Sequence, residues 1–371
     1  MNFKKYINTR LKGFILSNSR YLGLNPNDIV DSEDHLNSLT MLFQAVNSVG
    51  EEVFLIVDEY DSFANRLLLQ VDTTSSDLGM EHYKATVSDK ESFLRSFGNV
   101  LKEASGSGAI GRMFFTGVAP QAFSDGLSSL NMVEDISMDE RFEHVYGFTE
   151  KEIKSALENI FSSTATDDIN HHFVIMKANF DGYRFNENQT DGIFNFQMAL
   201  HYLKSLLQRG DPPKQLLDPN IAIPGDNVAR FLIENYRGLD SLGALDFVFG
   251  YAVLKSKVMD VVFRSADLFD ESTVDEALRS LAYYHGYLTF GDPSKEKLKG
   301  LLVCPNLVFN NIFIQSIRSQ YVKALLKKPK AWVVELRERM QKASKEKLEE
   351  LKDAALARAF DEVLSQLPKI I

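Results

Sequence analysis

Val53-Phe54-Leu55-Ile56-Val57-Asp58-Glu59-Tyr60-Asp61 decides how this chain is read. Five apolar residues run without a polar interruption and stop at a pair of carboxylates. A continuous run of branched and aromatic side chains of this length suits a strand buried on both faces of a parallel sheet. In such sheets ligands collect beyond the carboxyl ends of the strands. Asp58 and Glu59 therefore stand where magnesium-dependent phosphoryl transfer needs an acid for the metal shell and a base for the attacking water. A buried strand ending in a solvated acidic turn would look the same, so the neighbouring segments decide between the two.

Upstream, Phe3, Ile7, Leu11, Phe14 and Ile15 recur at three- and four-residue intervals, which predicts an amphipathic helix over 1–24, broken at Asn25-Pro26-Asn27. A second helix is expected from Asp34 to Gly50, with Leu36, Leu39, Leu42, Phe43 and Val46 on one face. Downstream, the polar stretch 72–92 reads as a mobile loop and 93–104 as a helix. Ser105-Gly106-Ser107-Gly108 is a break, and 110–118 a second short buried strand ending at Thr116. Strand, long helix, strand, with no hairpin signal between, implies a parallel sheet. Thr116 has two readings, a polar sensor beside the acidic strand end or a turn cap before Gly117.

The bulk properties bound the answer. A length of 371 residues suggests two or three domains, and 44% hydrophobic with 25% charged residues is an ordinary globular balance. No run of eighteen apolar residues occurs, so no membrane span is expected. The basic N-terminus lacks the long apolar segment of a secretion signal. The single cysteine, Cys304, rules out an intrachain disulfide and fits a reducing compartment, so an intracellular, by default cytoplasmic, location is expected. A net charge of −10 argues against a surface generally adhesive to nucleic acid and leaves room only for a local basic patch.

Beyond residue 147 the chain changes character. Thr149 and Glu152 have the spacing of a capping box opening the helix of Ile153, Leu157 and Ile160. Residues 162–170 read as a loop, 180–186 as a compact glycine-aromatic turn, and 194–208 as a helix ended by Asp211-Pro212-Pro213. Four of the ten prolines fall in 211–226, which marks a linker. Two helices, a strand at 287–290, a turn at Gly291-Asp292-Pro293 and a strand at 300–304 match a winged helix. The acidic helix expected around 267–276 favours packing within the chain over DNA contact. Between Tyr321 and Lys352 there are ten basic and five acidic side chains, and their spacing suits a solvated helix face ahead of a nucleic-acid or acidic-partner patch. His171-His172 has no third ligand at zinc spacing and reads as surface. Cys304 before Pro305 reads as an inert thiol, and no G-x-S-x-G elbow occurs.

V-F-L-I-V-D-E-Y-D-S-F-A-N, M-F-F-T-G-V-A-P, Y-G-F-T-E-K-E-I, F-D-G-Y-R-F-N, Y-Y-H-G-Y-L-T-F and V-C-P-N, in this order over roughly 30–320, together resemble the predicted AAA-ATPase-like family of bacteria and fungi. The resemblance makes the first motif a Walker B strand, with Asp58 as the magnesium-side acid and Glu59 as the candidate base. It places Thr116 near the γ-phosphate and Gly182-Tyr183-Arg184-Phe185 in a helical lid. Arg184 is then a candidate nucleotide contact, with a structural arginine over an aromatic as the alternative. ATP and Mg²⁺ are the cofactors it implies.

One departure matters. The family carries a phosphate loop of the G-x-x-x-x-G-K-[ST] kind, whose backbone amides and lysine hold the phosphates. None of the 21 glycines here is followed by lysine, and the residues before Val53 read as helices. The expectation is therefore a truncated α/β chain, a partial P-loop NTPase (AAA-like) parallel sheet lacking its Walker A loop over 1–150. A helical lid follows over 151–235, then a winged-helix-like unit over 236–320 and a charged α-helical tail over 321–371. Without the phosphate grip the chain alone is expected to hydrolyse ATP poorly or not at all. The alternative is a non-enzymatic module that binds a protein partner or nucleic acid. Many family members continue into a nuclease, but Val333-Val334-Glu335-Leu336-Arg337 lacks the upstream acidic hairpin, so nuclease activity is not expected.

Overall fold

The computed structural model describes residues 3–68, 81–127, 130–161, 166–218, 254–255 and 264–311, apart from positions 24, 32, 84–86, 88, 90, 91, 269, 271 and 310. The chain divides into two units, Met1–Asp135 with Met259–Ala277, and Ile136–Val258 with Leu278–Ile371.

The first unit opens with four helices, α1 (Phe3–Ser17), α2 (Ser19–Leu22), α3 (Pro26–Ile29) and α4 (His35–Ser48). The expected break at Asn25-Pro26-Asn27 is also a start. Pro26 needs no N–H in the first turn, and the Asn25 side chain accepts from Asn27 N at 3.0 Å. Asp34 caps α4 by accepting from Leu36 N and Asn37 N, each at 3.0 Å. The apolar stripes then meet, with Leu11, Ile15, Ile29, Leu42 and Val46 forming one buried cluster. Each such side chain contributes roughly 1.5–3 kcal/mol by leaving water.

Strands β1 (Val53–Val57) and β2 (Ile110–Phe115) pair in parallel, separated by α5 (Ser62–Leu68) and α6 (Phe93–Gly106), as the strand–helix–strand order implies. The register shifts after Val53, whose partner is Ile110, because Phe54 pairs with Arg112; Gly111 is the extra residue of a β-bulge. β1 is not buried on both faces as its apolar run led us to expect. Val53 packs on the helical cluster, whereas Phe54 and Ile56 are each 62% exposed. Among the described residues no third strand joins this sheet and helices cover one face, so the even-numbered side chains stay open.

Residues 72–80 of the expected loop lie outside the described residues, but 81–83 are helical and form an anchor. Tyr83 is fully buried and its hydroxyl donates at 2.9 Å to Asp125, near the C-terminal end of α7 (Gln121–Gly126). Ser265 N donates to the same oxygen at 3.1 Å, which ties the 264–268 segment into this unit. Burial pushes the Asp125 carboxyl above its ordinary range, and these two donors oppose the shift.

In the second unit α8 (Glu150–Phe161), α9 (Thr166–Phe180) and α10 (Phe196–Arg209) pack against one another. The capping box is present, with Thr149 N donating to Glu152 at 2.8 Å and Glu152 N donating back to the Thr149 hydroxyl at 3.3 Å. The loop expected over 162–170 is shorter, because α9 begins at Thr166; residues 162–165 lie outside the described residues. His172 is buried, stacked on Phe161 with its Nδ1 2.9 Å from the Tyr202 hydroxyl, so this half of the histidine pair belongs to the core and not the surface. Gly210 ends α10 in the left-handed region, directly before Asp211-Pro212-Pro213.

Three short strands, β3 (Leu254–Lys255), β4 (Thr289–Phe290) and β5 (Leu301–Val303), form an antiparallel sheet in the order β3-β5-β4. The expected hairpin at 287–304 is thus realised, preceded by α11 (Val274–Tyr284). The acidic stretch 267–276 is a 3₁₀ turn, Ser265–Leu268, followed by the start of α11, and not one helix. The remainder of the linker beyond Asp218 and the tail 321–371 lie outside the described residues. Among the described residues no helix is long and apolar enough to cross a membrane.

His285 follows α11, buried, and neither ring nitrogen finds a hydrogen-bond partner among the described residues. Burial lowers its pKa to about 4, and burial also lowers that of His172. The unfolded chain therefore binds more protons than the folded one below pH ~6.5. Stability should fall as pH drops from about 6.5 towards 4. Urea midpoints of the wild type and His285→Leu at pH 7, 6 and 5 will test this, the variant losing less of its midpoint over that interval.

Candidate functional site

The end of β1 and the end of β2 are held in step by their own backbone. Thr116 N donates to Val57 O at 2.9 Å and Tyr60 N donates to Thr116 O at 3.1 Å, which carries the ladder one step past both strands. This places the Thr116 hydroxyl on the Asp58 carboxylate, to which it donates a short hydrogen bond. The structure thus brings together Asp58 and Thr116, the two residues that sequence reasoning set at adjacent strand ends. Glu59 follows at φ +52°, a left-handed conformation that no other non-glycine among the described residues adopts. For a residue with a Cβ this costs roughly 1–2 kcal/mol. Both carboxylates are exposed, and neither forms an ion pair among the described residues.

The turn beneath them hangs on Asp61. Its side chain is fully buried, and Oδ2 accepts from Val118 N at 2.8 Å, Ala119 N at 2.7 Å and the Asn65 side chain at 2.6 Å. The segment leaving β2 is thereby fastened to the segment leaving β1 through a carboxylate hydrogen-bonded to two backbone amides. Gly117 sits over this contact, and a Cβ there would lie 2.6 Å from Asp61 Oδ1 and 2.5 Å from the Tyr60 ring. Tyr60 in turn packs edge-on against Phe115 and Phe123 and donates to Ala119 O at 3.3 Å. Its burial, reinforced by the Asp61 charge, raises the phenol pKa, so the hydroxyl stays neutral. Sequence reasoning stopped at the Asp58-Glu59 pair and missed Asp61, whose side chain is held by backbone amides far along the chain.

Oxygen donors of this kind suit Mg²⁺, which commonly takes one or two carboxylates and completes its shell with water and phosphate oxygens. Asp58 with the Thr116 hydroxyl fits that pattern. Among the described residues no cluster of three or more His, Cys, Asp or Glu could hold a metal by itself.

Arg184 lies in the second unit, and its guanidinium is engaged locally. It donates to Thr190 O at 3.2 Å and Gly182 O at 3.3 Å and lies 3.7 Å from Asp292, with both side chains largely buried. Its backbone N donates to the Thr289 hydroxyl at 2.7 Å, and that hydroxyl donates to Arg184 O at 2.9 Å. It braces the glycine-aromatic turn against β4, and among the described residues no aromatic ring lies beneath it. Cys304 donates to Asn306 O, and burial pushes its thiol up to about 12, in line with an inert role.

The family model described as predicted AAA-ATPase matches residues 1–127. Residues 1–127 carry an AAA-ATPase-like domain. The match ends just past α7 and covers β1, β2 and all of Asp58, Glu59, Asp61 and Thr116. No curated protein and no solved structure matches the chain.

Asp61→Ala removes the acceptor of three donors and leaves two backbone amides without it. It should destabilise the AAA-ATPase-like domain by about 2–4 kcal/mol. Asp61→Asn, which keeps one oxygen acceptor, should lose less, and thermal melts of the three proteins check the order.

Proposed function

We propose that the AAA-ATPase-like domain is a nucleotide-linked switch that retains the acidic, metal-side half of an ATP site. The observation that carries this reading is the Thr116 hydroxyl on the Asp58 carboxylate at the ends of two parallel strands. Asp58 is assigned to the magnesium shell, Glu59 to the attacking water, and Thr116 to the phosphate side. Bound Mg²⁺ would neutralise phosphate charge and orient its oxygens. Glu59, held in a strained backbone and open to solvent, is placed to accept a proton from water.

The grip on the phosphates is the weak part. No glycine of this sequence is followed by lysine, so no G-K loop supplies amides and an ammonium group. Phosphoryl transfer depends on positioning and charge neutralisation, and two carboxylates repel a triphosphate. The reading is therefore that this chain alone hydrolyses ATP slowly or not at all, and that nucleotide reports on state. Thermal melts with and without 5 mM ATP and Mg²⁺ (~5 mM, far above ordinary nucleotide affinities) test it. A rise in melting temperature that Asp58→Ala abolishes is the expected result, and no rise in the wild type rejects the reading.

The second reading is a protein-interaction module that docks through the first unit. It is favoured by the open sheet face, where Phe54, Ile56 and Phe114 are exposed on paired positions. Exposed apolar patches on a sheet mark contact surfaces. Phe54→Ser with Ile56→Ser should change stability by less than about 1 kcal/mol, as surface substitutions do. It should also remove most of the fluorescence of a bound hydrophobic dye; dye binding equal to the wild type would count against the patch.

A further inference from the structure

A cleft lies at the opposite end of β1 from Asp58 and Glu59, about 17 Å along a five-residue strand. It has a volume of about 200 Å³ and is lined by Phe14, Asn18, Tyr21, Glu51, Glu52 and the apolar floor of Val46 and Val53. Ligand pockets for nucleotide- or drug-sized molecules run from roughly 300 Å³ upward, so this one holds a single side chain. Its walls are unusual for a protein surface. Tyr21 is 80% exposed and Phe14 42% exposed, on α2 and α1, away from the buried Leu11 and Ile15.

The acidic wall comes from the two residues that lead into β1. Glu52 directly precedes β1, and its carboxylate lies against Gly111, the bulge residue of β2, where a Cβ would stand 2.0 Å from Oε2. Glu51 is alongside, both are exposed, and neither makes a side-chain hydrogen bond or ion pair among the described residues. The Asn18 side-chain amide donates to Phe14 O at 2.9 Å.

We propose that this cleft receives an arginine side chain presented by a protein partner. Two aromatic rings offer faces to a flat cation, the apolar floor takes the methylene stem, and two unpaired carboxylates offer the fork that a guanidinium matches. A net charge of −10 favours approach of a basic partner. The site is independent of the nucleotide reading, because none of its residues belongs to the Asp58–Thr116 end.

The test titrates the full chain with N-acetyl-arginine amide, N-acetyl-citrulline amide and N-acetyl-norleucine amide, read by chemical-shift changes of the protein. Citrulline keeps the shape and hydrogen-bonding plane without the charge, and norleucine keeps only the stem. The expected result is saturable binding of the arginine probe, at least tenfold weaker for citrulline and norleucine. Glu51→Gln with Glu52→Gln, and separately Tyr21→Ala, should each weaken the arginine probe severalfold at unchanged melting temperature. Equal binding of arginine and citrulline, tighter binding of norleucine, no arginine binding, or arginine binding that both variants leave intact overturns the proposal. Should the double variant melt early, Tyr21→Ala, which alters an exposed ring, decides alone.

Discussion

A single buried carboxylate holds the strand ends of the first unit in place. Asp61 accepts from Val118 N, Ala119 N and Asn65, so the chain leaving β2 cannot drift from the chain leaving β1. Charge-assisted bonds to backbone amides inside protein are worth more than their surface counterparts, because water does not compete for the same groups. The hydrogen bond between Thr116 and Asp58 is a consequence of that fastening. Two strands carrying the right residues but free at their ends would present a hydroxyl and a carboxylate at no fixed separation.

The sheet itself is minimal. Parallel strands normally have helices on both faces, and here α6 and the α1–α4 cluster account for one. On the other, Phe54 and Ile56 of β1 stand beside Arg112 and Phe114 of β2, in register and open. The strand ends are correspondingly open, with Asp58 and Glu59 both exposed. This is a good arrangement for sensing a ligand or a partner and a poor one for excluding water from a reaction.

Much of this was legible in the residues. The capping spacing of Thr149 and Glu152, the Asp34 start of α4 and the parallel pairing of β1 with β2 all follow from local rules, and the structure follows them. The alternating exposure of β1 was not legible. Apolar residues at 53 through 57 look the same whether a second layer is present or absent, because hydrophobicity records what a strand could bury and not what covers it. Asp61 was hidden for a different reason. Its partners are two backbone amides 57 and 58 positions away, and amides carry no signature in sequence. His172 and Arg184 were similarly opaque. Both look like surface or ligand-facing groups until Tyr202, Thr190 and Asp292 are seen beside them.

The left-handed backbone at Glu59 sets the ease of the turn against the presence of a second carboxylate at one position. Glycine there would relax the turn, so any selection for heat resistance alone drives the site towards losing its second carboxylate. A thermostabilised form of this protein bearing glycine at 59 would be a sturdier fold with half of its acidic pair erased.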